Sequence, residues 1–249
     1  MTIAFGLIYQ SKNSPHEGLL FASDSRGSTG SHVADAEQKV VSIQFPGYAV
    51  LIAKAGDAGT ANAFDEELRQ IARKAKITSP NSIRDAAERA IRKVKKRLLT
   101  GYSGDTDQRL AENDCGFVIG YFHKGLPYIY TLCLTTGLAS GSLNQKIAVI
   151  GNPMELVRFL LIGIDLSNLQ RPAEFAASVV EMCKLHDPAC GGPCQIMVLS
   201  GAAPQRPLLH VPVVAIPQLV DKMLRQSVAH NYLLKRFATG FFERKNVKR

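Results

Sequence analysis

The second residue of the chain is a threonine, and this position gives its side chain chemistry that an internal threonine lacks. Thr2 is small enough to permit ordinary removal of Met1, which would leave its hydroxyl beside a free α-amine. An α-amine has a pKa of about 7.7–8, close to working pH. One residue would then supply both a nucleophile and a general base. A threonine in second position is common, so Thr2 alone does not predict catalysis.

Five short segments carry further residues capable of chemistry, and each lies at the end or start of a predicted strand or helix. In chain order they are ASDSR at 22–26, QKVV at 38–41, AGDAG at 55–59, GNP at 151–153 and HDPACGG at 186–192. Each segment is a weak signal alone. All five in this order, between suitable elements and after Thr2, form a specific pattern.

This pattern resembles the proteasome β-subunit and HslV family of N-terminal threonine hydrolases, over roughly residues 2–225. The match favours a bacterial proteasome homologue close to HslV. It implies a cytoplasmic threonine endopeptidase that assembles with itself into stacked rings of six or seven chains. Unfolded proteins or peptides are the expected substrates, and an ATP-dependent unfoldase ring is an expected partner.

The resemblance assigns catalytic roles by position. It makes Thr2 the nucleophile and Lys39 the cation that favours the neutral amine and the developing alkoxide. Asp24 is expected to hold Lys39 charged and oriented, and Arg26 to support the turn. The N–H of Gly56, before a helix, is the expected oxyanion donor, and removing such a donor typically costs ~3–4 kcal/mol of transition-state stabilisation.

The later segments are expected to orient the amine of Thr2. Asp187 and the residue at position 190 carry this role, and Asn152 stands where the family has a small-residue turn before its third helix. Cys190 and Asn152 occupy positions where the family commonly has serine. A thiol is a poorer hydrogen-bond partner than a hydroxyl, so Cys190 predicts a slower peptidase.

Three residues are predicted to contact substrate, namely Lys54, Gly27 and Ala58. Lys54 lies two residues before Gly56, where the family lines the pocket for the side chain that precedes the scissile bond. A lysine there would attract an acidic or polar side chain. A surface lysine on an edge strand is the alternative interpretation.

The elements that must position these residues follow from the spacing of apolar residues. Short apolar runs predict strands at 3–9, 19–23, 40–44, 48–53, 117–122, 128–134, 195–199 and 209–216. Helical spacing predicts helices through 64–75 and 83–98, near 154–164 and 172–185, and at the C-terminus. This order predicts an α+β fold in which two antiparallel sheets pack face to face between two helix pairs, a four-layer αββα sandwich.

Composition and charge limit the other possibilities. The chain has 249 residues with a formal net charge of +9, and its basic tail from 218 to 249 has eight Lys or Arg against two acids. We expect one domain over 1–225 and a basic helical extension over 226–249.

No apolar run is long enough to span a membrane, and no signal peptide is evident at the start. The five cysteines contain no CxxC pair, so reduced thiols are expected, with no metal site and no cofactor.

Basic segments invite a nucleic-acid interpretation, but no recognised nucleic-acid-binding motif supports it. The run from 89 to 97 fits the solvated face of a helix. Two other functions remain open from sequence: an N-terminal-nucleophile amidase that acts on a small molecule, and a catalytically silent ring subunit. Particle size separates the amidase from a degradation chamber, and a probe for the active-site threonine separates the silent subunit from the peptidase.

Overall fold

The computed structural model describes residues 3–10, 15–29, 32–34, 37–141, 145–152, 154–161, 164–169 and 171–210. Contacts divide the chain into a compact unit of Met1–Pro212 and a second stretch, Val213–Arg249, that lies outside the described residues. The predicted C-terminal helix, the basic extension 226–249 and the proposed boundary at 225 all fall outside that range.

Twelve strands and five α-helices are found in the described residues. The strands are β1 (Ile3–Gln10), β2 (Glu17–Ser23), β3 (Gly27–Thr29), β4 (His32–Ala34), β5 (Val40–Phe45), β6 (Tyr48–Gly56), β7 (Cys115–His123), β8 (Leu126–Cys133), β9 (Ala139–Ser140), β10 (Ile147–Gly151), β11 (Gln195–Ser200) and β12 (Leu208–His210). The helices are α1 (Ala58–Ala72), α2 (Asn81–Leu99), α3 (Thr106–Glu112), α4 (Met154–Leu161) and α5 (Pro172–His186).

Two five-stranded antiparallel sheets form the centre of the fold. One has the strand order β10-β1-β2-β11-β12 and the other β5-β6-β7-β8-β9, while β3 and β4 form a separate hairpin. The register brings distant segments together, since Ile3 pairs with Gly151 across β1 and β10. In the same sheet Ser23 pairs with both Ala4 and Gln195, so the ends of β1, β2 and β11 meet.

Apolar side chains fill the space between the sheets and the space beneath the first helix pair. Leu19, Phe21, Leu51 and Val118 belong to the core between the two sheets. A second core joins α1 and α2 to the outer face of β5–β9. On the other side, α5 packs on β2 and β11, and α4 packs on β10. The predicted α+β sandwich of four layers is therefore confirmed.

The structure also contains elements that the apolar spacing did not predict. Strand β10 is only five residues long, and a short apolar run does not distinguish a strand from a helix. Helix α3 buries a single side chain, Leu110, so it has no apolar period. Its start is marked only by Asp105, which accepts hydrogen bonds from the N–H groups of Asp107 and Gln108. The predicted strand 209–216 begins at Leu208, and its part beyond 210 lies outside the described residues.

No helix among the described residues has both the length and the apolar character that a membrane crossing requires.

Candidate active site

Asp24 lies directly after β2 and is fully buried. Its Oδ1 accepts a hydrogen bond from the N–H of Ile3 at 3.2 Å, and its Oδ2 accepts one from the N–H of Gly191 at 3.0 Å. The hydroxyl of Ser23 adds a bond to the carbonyl of Ile3 at 2.8 Å. The start of β1, which follows Thr2 in the chain, is therefore fixed to the end of β2 by buried polar groups.

Lys39 forms an ion pair with this carboxylate. Its Nζ is 3.5 Å from Oδ1 of Asp24, the side chain is 3% exposed, and the ammonium also donates to the carbonyl of Arg26. Burial lowers the pKa of Lys39, while the carboxylates of Asp24 and Glu37 oppose that shift. Burial also raises the pKa of Asp24, opposed by Lys39 and by the N–H groups of Gly191 and Ile3. A desolvated ion pair of this kind is typical of sites that tune protonation.

The segment after α5 is fixed to the Asp24 turn by its backbone. The carbonyl of Gly191 accepts bonds from the N–H of Ser25 at 3.1 Å and of Arg26 at 3.0 Å. The guanidinium of Arg26 donates to the carbonyl of Pro188 at 2.9 Å. A Cβ at position 191 would come within 2.3–2.5 Å of that guanidinium, so glycine allows the close approach.

Asp187 and Cys190 lie on this segment. Oδ1 of Asp187 accepts from the N–H of Ala189 at 2.9 Å, and its carbonyl accepts from the N–H of Cys190 at 3.0 Å. Cys190 is buried, and burial, together with the nearby carboxylates of Asp24 and Asp187, raises the pKa of its thiol to about 12. The thiol is therefore neutral at physiological pH and is not an activated nucleophile.

Gln195 is a positioning residue that the sequence gave no reason to select. Its Oε1 accepts from the N–H of Lys39 at 2.8 Å and from the N–H of Val40 at 3.1 Å. Its Nε2 donates to the carbonyl of Glu37 at 2.5 Å. A side chain at the start of β11 thus fixes the backbone on which Lys39 is carried, and no local pattern in the sequence marks that role.

Gly56 ends β6 in a conformation with φ of +115°, which side-chain-bearing residues rarely adopt. A Cβ there would lie 2.3 Å from the carbonyl oxygen of Asp114. The following residue, Asp57, caps α1 by accepting from the N–H of Thr60 at 2.7 Å. The N–H of Lys54 donates to the carbonyl of Lys39 at 2.9 Å, so Lys39 and Gly56 lie near the same end of neighbouring strands.

The predicted substrate contacts lie on three different elements. Lys54 is 3% exposed, and its ammonium donates to Oδ2 of Asp65 at 2.8 Å and to Oδ1 of Asn62 at 3.1 Å. Ala58 is the first residue of α1, and Gly27 is the first residue of β3. The contact of these residues with substrate stays a prediction.

Thr2 lies outside the described residues, and β1 begins at the next residue, Ile3. Ile3 pairs with Gly151, and exposed Asn152 follows Gly151 directly. Glu37 lies near Lys39 and has a buried Oε2 with no hydrogen-bond partner within the described residues. The start of β1 is therefore surrounded by Asp24, Lys39 and the end of β10.

Comparison with solved structures finds the same fold in Anbu (ancestral beta-subunit) proteins. The structure is similar to Anbu from Yersinia bercovieri with a TM-score of 0.72 and 16% identity, over 92% of this chain and 95% of that chain. Anbu from Hyphomicrobium sp. strain MC1 gives 0.67 and 16%, over 92% and 97%. A helical assembly of the Anbu complex from Pseudomonas aeruginosa gives 0.70 and 18%, over 94% and 96%.

No family model and no curated protein matches the sequence. The motifs predicted a relative close to HslV, and this prediction is wrong. The three similar structures are Anbu proteins, and none of them is an HslV. Proteins with only 16–18% identity share this fold, so the order of the elements alone does not identify a family. At 16–18% identity the similarity establishes the fold.

Proposed function

We propose that the chain is a threonine-type endopeptidase that uses Thr2 as its nucleophile once Met1 has been removed. The observation that carries the proposal is the buried pair of Lys39 and Asp24, 3.5 Å apart, with Asp24 also bonded to the N–H of Ile3. The cost of desolvating two charges can exceed the gain from their attraction, so the buried pair at the start of β1 is better explained by a functional role than by stability. We assign the pair the role of stabilising the charge that develops on the hydroxyl of Thr2, the residue that precedes Ile3.

The steps use groups of this chain only. The hydroxyl of Thr2 attacks the substrate carbonyl and gives its proton to the α-amine. The ammonium of Lys39 favours the neutral amine, and the N–H of Gly56 stabilises the oxyanion. The protonated amine then passes its proton to the leaving amine, and the C–N bond breaks to give an ester on Thr2. Water, deprotonated by the same amine, cleaves that ester and restores the hydroxyl.

The remaining predicted residues act as supports in this proposal. Asp187 and Cys190 orient the amine of Thr2, and Arg26 fixes the Asp24 turn to the segment after α5. Asn152 extends from the strand that pairs with β1. A protonated Cys190 offers a weaker hydrogen bond than serine, so the proposal includes a slow reaction.

We also propose that the chain assembles with itself. One structural neighbour is described as a helical assembly of the Anbu complex. A head-to-tail interface gives a ring if its rotation closes and a helix if it does not. Stacked rings of six or seven chains and an open helical particle are therefore alternative outcomes of the same kind of contact. Electron microscopy of the purified particle distinguishes them. An unfoldase partner stays a prediction.

The decisive experiment compares the protein with Thr2→Ala. The preparation is first checked by intact mass for loss of Met1, and is then treated with a peptide epoxyketone, which needs both the hydroxyl and the free amine to form its cyclic adduct. We expect one adduct per chain, cleavage of a fluorogenic peptide, and neither with Thr2→Ala, while both proteins give the same particle size. Full retention of Met1 in an active preparation would contradict the mechanism.

The same experiment covers the two alternatives. Turnover of small amides without turnover of peptides, by a dimer, would indicate the amidase. An assembled particle with a free Thr2 amine but no adduct and no turnover would indicate a silent subunit.

A further inference from the structure

Apart from the basic tail 218–249, the positive charge of the chain is concentrated in one helix layer. Residues 69–97, from the end of α1 through α2, contain eleven Lys or Arg and two acids, a net charge of +9. The opposite layer, residues 154–187, contains three Lys or Arg and five acids. The first layer therefore carries a positive field that the second does not.

The side chains of α2 explain why this charge faces outward. Its apolar residues pack on the sheet, since Ile83, Ala90 and Ile91 are fully buried. Arg84 and Lys95 reach back to the carbonyls of Ala139 and Thr135, at 3.0 and 2.8 Å. The other basic residues of α2 remain exposed: Arg89, Arg92, Lys93, Lys96 and Arg97.

Three of these cations form a stripe beside α1. Arg89, Lys93 and Arg97 are spaced by four residues, and the stripe spans about 12 Å at 1.5 Å per residue. Glu67 of α1 is 1% exposed and accepts from Lys93 at 3.2 Å and from Arg97. This one carboxylate fixes the stripe against α1 without neutralising it.

Two concavities lie along this stripe. One has a volume of about 360 Å³ and is lined by Gln70, Ile71, Lys74, Ala75, Arg89 and Lys93. The other, about 490 Å³, is lined by the apolar side chains of Ala63, Val94 and Leu98, the aromatic Tyr102, the cations Arg97 and Arg109, and the acid Asp57. Both combine aliphatic side chains with cationic ones, and Lys74 and Arg89 have no ion-pair partner within the described residues. We call this surface the α1–α2 groove.

We propose that the α1–α2 groove binds an acidic peptide segment of a partner protein, with apolar side chains over Ile71, Ala75 and Leu98 and carboxylates against the cationic stripe. The charge excess selects an anionic partner, and the aliphatic lining selects one with apolar groups. Nucleic acid fits less well, because single strands bind through successive aromatic stacking platforms. The two concavities have a single aromatic side chain in their lining, Tyr102, and the guanidinium of Arg109 lies over its ring. This proposal is independent of the chemistry at Thr2.

The test measures fluorescence anisotropy of a labelled 15-residue peptide of Glu and Leu at helical spacing. The comparators are a peptide with every Leu replaced by Ser and an oligothymidylate of equal charge. The double variant Lys74→Glu/Arg89→Glu is matched by Arg158→Glu/Arg171→Glu, which makes the same charge change on the opposite layer. All are measured at about 50 and 150 mM salt, with circular dichroism and sedimentation as checks of fold and size.

We expect the Glu/Leu peptide to bind most tightly, and the groove variant to weaken it about tenfold or more while the matched control changes it less than about threefold. Raising the salt should weaken binding in the wild type. If the groove variant fails to fold, Lys74→Gln/Arg89→Gln replaces it. Neutralising the two charges should cost about half the binding free energy that reversing them costs, or about a threefold loss of affinity.

Four results would overturn the proposal. Equal loss in both charge variants would mean non-specific attraction. Equal affinity for the Glu/Ser peptide would remove the role of the apolar lining. Tighter binding of the oligothymidylate would assign the groove to nucleic acid. A change in particle size with the groove variant would assign this face to contacts between copies of the chain.

Discussion

The amide of Gln195 gives the sharpest test of how the site is held. Replacing it with methionine keeps the length of the side chain and removes all three of its hydrogen bonds. Two are accepted from the N–H groups of Lys39 and Val40, at 2.8 and 3.1 Å, and one is donated to the carbonyl of Glu37 at 2.5 Å. The Gln195→Met variant should therefore loosen the backbone that carries Lys39.

The magnitude follows from these three bonds. A hydrogen bond contributes a net of about 0.5–1.5 kcal/mol, so their loss should lower the free energy of unfolding by roughly 1.5–4.5 kcal/mol. For a domain of this size, a loss near 3 kcal/mol corresponds to a fall in Tm of roughly 6–12 °C. Misplacing a catalytic group by about 1 Å costs up to ~100-fold in rate, so we expect kcat to fall between about 10- and 100-fold.

The assay measures kcat with a fluorogenic peptide well below the Tm of the variant, alongside thermal unfolding at fixed protein concentration. Gln205→Met is the matched control, because Gln205 is exposed and makes a single bond, to the carbonyl of Gly47 at 3.1 Å. It should change Tm by less than about 2 °C and leave kcat unchanged. A Gln195→Met variant with a lower Tm and full kcat would refute the argument, since Gln195 would then stabilise the fold without positioning Lys39.

Four further outcomes are expected. Lys39→Ala should reduce cleavage nearly as much as loss of the nucleophile. The rate of the wild type should rise through neutral pH as the terminal amine loses its proton, and a flat pH profile would contradict the role of that amine as the base. Cys190→Ser should raise kcat severalfold, because a hydroxyl is a stronger hydrogen-bond partner than a thiol whose pKa is raised to about 12. Lys54→Ala should shift the preference for the residue before the scissile bond away from acidic side chains, and a peptide-library profile unchanged by the substitution would contradict this. The variant should also have a lower Tm, because it leaves Asp65 without its ion-pair partner. Truncation after Arg225 should weaken assembly more than it weakens cleavage, which sedimentation and peptide turnover measure together.

The ion pair of Lys54 and Asp65 shows what the local sequence pattern can predict and what it cannot. The spacing of Lys54 before Gly56 predicted a pocket lysine, and periodicity correctly predicted that α1 follows. Nothing in the order of residues indicated that the ammonium would contact Asp65 at 2.8 Å, because that contact depends on how α1 lies on β6. The ion pair now competes with any substrate carboxylate at this position.

The sequence by itself determined the order of the main strands and helices and the four-layer class. Both follow from apolar periods within ten to twenty residues, which reflect burial on one face of an element. It also suggested Thr2, Asp24 and Lys39 as site residues, through the resemblance that their segments carry. The structure pairs Asp24 with Lys39, while the role of Thr2 stays a prediction. The sequence suggested the wrong relatives, since proteins of 16–18% identity share this fold and the order of elements does not distinguish them.

Only the tertiary structure decided which groups hold the site together. Gly191 is bonded to Asp24 across 167 positions of the chain, and Gln195 to Lys39 across 156. Contacts of this kind arise where β11 pairs with β2 and where the two sheets stack, and neither leaves a periodic trace in the sequence. A hydrogen bond requires its atoms within about 3 Å, and only the packed fold sets that distance between residues so far apart.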